Sequence, residues 1–136
     1  MTFYHADGSL SRIYGNNGSA TAPSKSMSDA EFNGFNETAL LIYAGCSTGV
    51  TSSSFGNLVD ITNQKGVLCV VGWTVSTYPT PGNFWMEKFF EECANRYTIE
   101  EAMSLADDWV YDEHPSYYDI QRSRHVAGFP EGIIIG

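Results

Sequence analysis

The sequence has little positive charge: seven Lys and Arg stand against sixteen Asp and Glu, a formal net charge of −9. A surface of that sign repels phosphate backbones, which argues against nucleic acid or anionic membrane as a partner. Long apolar runs are lacking too, since none reaches the roughly 18–20 residues that a membrane span requires. Met1 to Ser11 holds no basic patch followed by an apolar stretch, so it does not read as a signal peptide. Cysteine is scarce. Cys46, Cys69 and Cys93 form no CxxC pair and cannot all be bridged within one chain, which points to thiols in a reducing, cytoplasmic compartment. Histidine is scarcer in effect, because only His5, His114 and His125 are available for acid–base work. Zinc needs closer-set Cys and His ligands than these, so no metal site is expected. Gly15-Asn16-Asn17-Gly18 has no following Lys-Ser/Thr and is not a phosphate-binding loop.

What is present is ample core material, 43% hydrophobic and 14% aromatic, in 136 residues that suit a single domain. Thr2 to His5 reads as a short strand before an Asp7-Gly8 turn. Residues 9–28 read as a long loop, and Ser28 with Glu31 as the capping box of a short helical turn to Phe35. Ala39 to Ala44 is continuously apolar, as befits a strand buried on both faces, and it runs into Gly45-Cys46-Ser47-Thr48-Gly49. Asn57 can cap a helix from Leu58 to Gln64 that Gly66 ends. Val67 to Trp73 is a second buried strand, followed by a loop through Pro79, Pro81 and Gly82.

Asn83 opens an aromatic helix whose Phe84, Trp85, Phe89, Phe90, Cys93 and Ala94 face a core. Thr98 with Glu101 caps the next, in which Ile99, Ala102, Met103, Ala106, Trp109 and Val110 follow helical spacing. Asp107 and Asp108 fall on its solvent side. His114-Pro115 ends it, and Gly132 to Ile135 reads as the last strand. Strands alternating with helices predict an α/β fold, a three-layer sandwich with a mostly parallel sheet.

In such sheets the working site lies outside the carboxyl ends of the strands, where Gly45-Cys46 falls. A cysteine there has a fixed position, and small neighbours leave its backbone open to an oxyanion. The thiol also needs a base, since an unperturbed cysteine titrates near about 8.5. The bland reading of Cys46 is a small apolar residue ending a core strand. Cys69 and Cys93 read as packing residues. Ser47 also stands in a G-x-S-x-G frame, the nucleophile elbow of serine hydrolases, but the β-branched and Ser-rich segment after it is poor helix material. Tyr117, Tyr118, Arg122, Arg124 and His125 could line a site near the chain's last strand.

Taken together, Ala39 to Gly49 (ALLIYAGCSTG), Gly56-Asn57-Leu58 and Gly66 to Trp73 (GVLCVVGW) resemble the caspase-like peptidase superfamily. Within it they resemble the CHAT-type domains related to separase. The similarity runs over residues 39–136, including MEKFFEEC and TIEEAMSLADDWV. It implies a caspase-like cysteine endopeptidase cleaving a peptide or protein substrate, without a cofactor. Cys46 would be the nucleophile, with its own N–H and that of Gly8 at the oxyanion. Asp7, Gly45, Ser47 and Trp73 would lie about the pocket, and many relatives cleave after basic residues. The family's base is a His immediately before a Gly. Here Asp7 holds that position, and His5, about forty residues before Cys46, is the nearest imidazole. Residues two apart on a strand share a face, which keeps His5 in reach of the role. The Asp7 replacement equally suits a catalytically inactive module that binds or assembles. Relatives also carry strands before the His-bearing one. A sheet shortened on that side would leave an open edge for a partner chain or a second copy to cover.

Overall fold

The computed structural model describes residues 2–6, 12–15, 18–21, 38–53 and 56–135. The helical turn expected at Ser28–Phe35 lies outside the described residues, as do Asp7 and Gly8. The chain forms two compact units, Met1–Ser76 with Arg124–Gly128, and Thr77–Ser123 with Phe129–Gly136. Among the described residues no helix is long and apolar enough to cross a membrane.

The first unit is mixed α/β. Its strands β1 (Thr2–Ala6), β2 (Arg12–Gly15), β3 (Gly18–Thr21), β4 (Leu40–Tyr43), β7 (Cys69–Trp73) and β8 (Arg124–Gly128) form a six-stranded sheet in the order β3-β2-β1-β4-β7-β8. A separate two-stranded ribbon is made by β5 (Thr51–Ser52) and β6 (Gly56–Asn57). β1, β4 and β7 are parallel, and every other pairing in the main sheet is antiparallel. The sheet is therefore mixed, and its parallel part is the central three strands.

β4 sits in the middle because it can. Leu40, Leu41, Ile42 and Tyr43 are at most 2% exposed, and each buried side chain of this size contributes roughly 1.5–3 kcal/mol. Leu41 and Tyr43 share a face with Leu58 and Val59 of helix α1 (Leu58–Gln64), in a cluster completed by Val67 and Val70. The buried Tyr43 hydroxyl hydrogen-bonds Thr62 Oγ1 at 2.7 Å, and Thr62 donates to Leu58 O, so no polar atom of that pair is stranded. Asn57 caps α1 by accepting from the Val59 and Asp60 amides, and Gly66 follows its end at φ +115°, as the sequence leads one to expect.

Two expectations for this unit fail. The stretch 9–28 contains the β2–β3 hairpin, paired from Arg12↔Thr21 to Gly15↔Gly18. That hairpin occupies the position beside β1 through His5↔Tyr14 and Ala6↔Ile13, so β1 is not the sheet's edge strand. The last strand is not Gly132–Ile135 but β8, which pairs antiparallel with β7 from Cys69↔Gly128 to Trp73↔Arg124. Gly128, at φ +101°, ends it where a Cβ would stand 2.0 Å from Leu68 O, a place open only to glycine.

The second unit is built on two helices, α2 (Pro79–Ala94) and α3 (Ile99–Glu113), followed by a 3₁₀ turn (Pro115–Tyr117) and the short α4 (Tyr118–Arg122). Pro79, Pro81 and Gly82 belong to the first turn of α2 rather than to a loop; proline is tolerated there because its missing N–H would be unpaired anyway. Trp85, Phe89 and Cys93 are buried from α2, and Ile99, Ala102, Met103, Ala106 and Val110 from α3, while Ala94 is exposed. Trp109 is 39% exposed, stacked on Phe84 and covered by Lys88. Asp107 is not on the solvent side: it is 6% exposed and accepts from Trp85 Nε1 at 2.9 Å. Thr98 and Glu101 form the expected reciprocal capping box. Ile133, read as strand, instead accepts from the Ile99 amide at 2.9 Å.

Candidate active site

Cys46 lies three residues beyond the end of β4, half-buried, in a turn formed by residues 45–49. The Gly45 amide donates back to Tyr43 O at 2.9 Å, which turns the chain off the strand. Ser47 adopts φ +58°, an unfavourable region for a residue with a side chain, costing on the order of 1 kcal/mol or more. The surroundings that hold it there are specific. Ser47 N–H donates to Val75 O at 3.1 Å and Gly49 N–H to Trp73 O at 2.7 Å. Thr48, 4% exposed, donates within reach of both Tyr43 O and Gly45 O and accepts from Trp73 N–H at 3.1 Å. The turn is thus clipped onto the carboxyl end of β7.

The glycines serve a purpose other than openness. A Cβ on Gly49 would stand 2.7 Å from Gly72 O, and one on Gly72 would stand 2.7 Å from Val59 Cγ2 and 3.0 Å from Gly49 N. Both are small because two backbones touch. Gly45 is buried, and Trp73, expected about the pocket, is 3% exposed and meets the turn through its main chain. After Ser47 the chain enters β5 and not a helix, so Ser47 lacks the strand–turn–helix setting of a nucleophile elbow.

His5 is placed by its strand. β1 runs parallel to β4 with Thr2↔Leu41, Phe3↔Ile42 and Tyr4↔Tyr43 in register, so His5 follows Tyr4 as Ala44 follows Tyr43. Neighbouring strands lie roughly 4.8 Å apart, and both residues therefore emerge at the same end of the sheet. Asp7 and Gly8, the other expected members of the site, lie outside the described residues.

None of the three cysteines is disulfide-bonded. Cys69 is fully buried in β7. Cys93 is 3% exposed; burial, with the neighbouring Glu92 charge, pushes its thiol up to about 11, so it stays protonated at neutral pH. Cys46 alone is more than marginally accessible. Among the described residues no group of three or more His, Cys, Asp or Glu is gathered as a metal site would need.

Of the remaining histidines, His114 packs edge-on against Phe84 in the second unit. His125, in β8 opposite Gly72, makes a contact that sequence spacing does not reveal: its Nε2 lies 2.7 Å from Asp60 Oδ1 of α1. Tyr118 is covered by the Arg122 guanidinium and Tyr117 packs on Tyr78, so neither is a bare rim residue. No protein-family model matches this chain, and no curated protein sequence matches it.

Proposed function

We propose that this chain is a caspase-like cysteine endopeptidase, with a three-layer sandwich about the sheet, in which Cys46 attacks and His5 carries the proton. The observation that supports it is the pairing of β1 with β4: adjacent, parallel and in register, they bring His5 and Cys46 out at one end of the sheet. The Cys46 thiolate would attack the scissile carbonyl to form a tetrahedral adduct. The imidazolium would protonate the leaving amine as the C–N bond breaks, and water would then hydrolyse the thioester. A net charge of −9 fits substrates with Lys or Arg before the scissile bond. Three unbridged cysteines fit the reducing cytoplasm.

A second reading, a non-catalytic module that binds or assembles, has one observation in its favour. The Ser47 and Gly49 amides, which flank the nucleophile and could otherwise hold an oxyanion, already donate to Val75 O and Trp73 O. Cleavage of peptides carrying a basic residue separates the two. In the peptidase, Cys46→Ala and His5→Ala each abolish nearly all turnover, and the double variant loses little more, because such residues act as a unit. The pH profile rises through a limb near about 6.5, the ordinary histidine value. Absence of any cleavage by the wild type across a peptide library, with Cys46 still readily alkylated, would establish the binding module.

A further inference from the structure

We infer that the Asp60–His125 pair is a clasp that sets the conformation of the Cys46 turn, which makes both of them positioning residues. The inference rests on Cys46 being the working residue. Three hydrogen bonds and one close approach form a circuit about the turn. Asn57 Nδ2 donates to Gly49 O at 2.8 Å, and Asn57 Oδ1 accepts from the Asp60 amide at 3.2 Å. Asp60 Oδ1 holds His125 Nε2 at 2.7 Å. His125, for its part, lies over the turn: a Cβ on Gly49 would be 3.1 Å from His125 Cβ. Gly49 is thus bonded from the cap of α1 on one side and covered from β8 on the other, while its amide is fastened to Trp73 O below.

Strain gives the circuit a task. Ser47 at φ +58° persists only while its neighbours hold it, and the Asp60–His125 bond closes α1 and β8 on the residue two positions later. The pair joins residues 65 apart in sequence, so β8, which follows residues 77–123 of the second unit, completes the turn. The Asp60 and His125 side chains are 47% and 38% exposed, leaving the bond accessible to substitution without disturbing the core.

The test follows Cys46 alkylation by iodoacetamide and hydrogen exchange of the Gly49 amide. Asp60→Ala and His125→Ala should each open the turn, raising both rates about five- to tenfold while Cys93 stays unreactive. Asp60→Asn keeps an acceptor for the imidazole N–H and should remain within about twofold of wild type. The double alanine variant should match the singles, since the bond can be lost only once. Wild-type rates in Asp60→Ala would overturn the clasp. So would an Asp60→Asn variant as damaged as Asp60→Ala, which would assign the effect to charge in the first turn of α1. Cys93 labelling rising in parallel would also overturn it, because the whole fold would then have loosened. Should the protein cleave no peptide, these rates still decide the clasp independently of the peptidase reading.

Discussion

The Cys46 turn and the α2–α3 pair are held by opposite means. The turn lies backbone against backbone: Gly49 touches Gly72, and Gly49 N–H, Ser47 N–H and Thr48 Oγ1 bond to main-chain groups at the end of β7 or just beyond, with no side chain of any size between. The helices meet through large side chains, Phe84 stacked on Trp109 and Trp85 reaching across to Asp107. Backbone contact fixes a turn tightly enough to sustain a strained residue beside a thiol, but it leaves no room for change. Side-chain packing tolerates more, because rotamers can adjust.

One substitution made in both places puts that contrast to its severest test. Gly49→Ala drives a methyl into Gly72 O, a backbone atom that cannot move aside, and should destabilise the protein by about 3 kcal/mol. Gly82→Ala, in the first turn of α2, meets nothing nearer than Gln121 Nε2 at 3.9 Å. It should be neutral or stabilise by about 0.5 kcal/mol, as alanine replacing a helical glycine usually does. Urea midpoints of the two variants provide the measurement. Equal shifts would mean that the turn can lift off β7, and the contrast would collapse.

Within the helical unit the most consequential single bond is buried. Asp107→Ala leaves the Trp85 indole N–H without the carboxylate it donates to, and should destabilise by about 2 kcal/mol. Asp107→Asn preserves an acceptor of the same shape and should lose about half as much. If the two variants unfold at the same midpoint, the carboxylate's charge rather than its geometry is what matters there.

The parts of the fold legible in the sequence are those whose cause is local. The apolar run of β4, the Asn57 cap of α1 and the Thr98 box of α3 each carry their reason within a few residues. β8 does not: Arg124, His125, Ala127 and Gly128 are weak strand formers, and the segment is a strand because β7 offers it an edge. Ile133 to Ile135 looks the better strand and is not one, since Ile133 O serves α3 instead. Asp107 reads as a solvent residue because its partner Trp85 is 22 positions away. Asn16-Asn17 between glycines is a hairpin signal overshadowed by the Ser- and Asn-rich stretch around it. At the site, Cys46 was legible as a strand-end thiol, whereas the Asp60–His125 bond was not, because no spacing rule joins a helix's first turn to a strand 65 residues later. The glycines of the turn were legible as small, though their reason, contact with β7, lies across the sheet.

A modest loss tests the most local cause. Thr98 Oγ1 accepts from the Glu101 amide at 3.2 Å, while Glu101 Oε2 accepts from the Thr98 amide at 2.9 Å. Thr98→Ala removes the first of these bonds and leaves the second. The site is exposed, so water can take over the Glu101 N–H, and the loss should be about 1 kcal/mol or slightly less. Thr98→Ser retains the hydroxyl and should fall within a few tenths of a kcal/mol of wild type. The rest of the helix start is unaffected in either variant, because Ile99 N–H donates to Ile133 O, and Glu100 and Glu101 remain to oppose the helix dipole. A urea midpoint unmoved by Thr98→Ala would show that this outside contact to Ile133 anchors the start of α3. The helix would then owe its beginning, like the Cys46 turn, to a distant part of the chain.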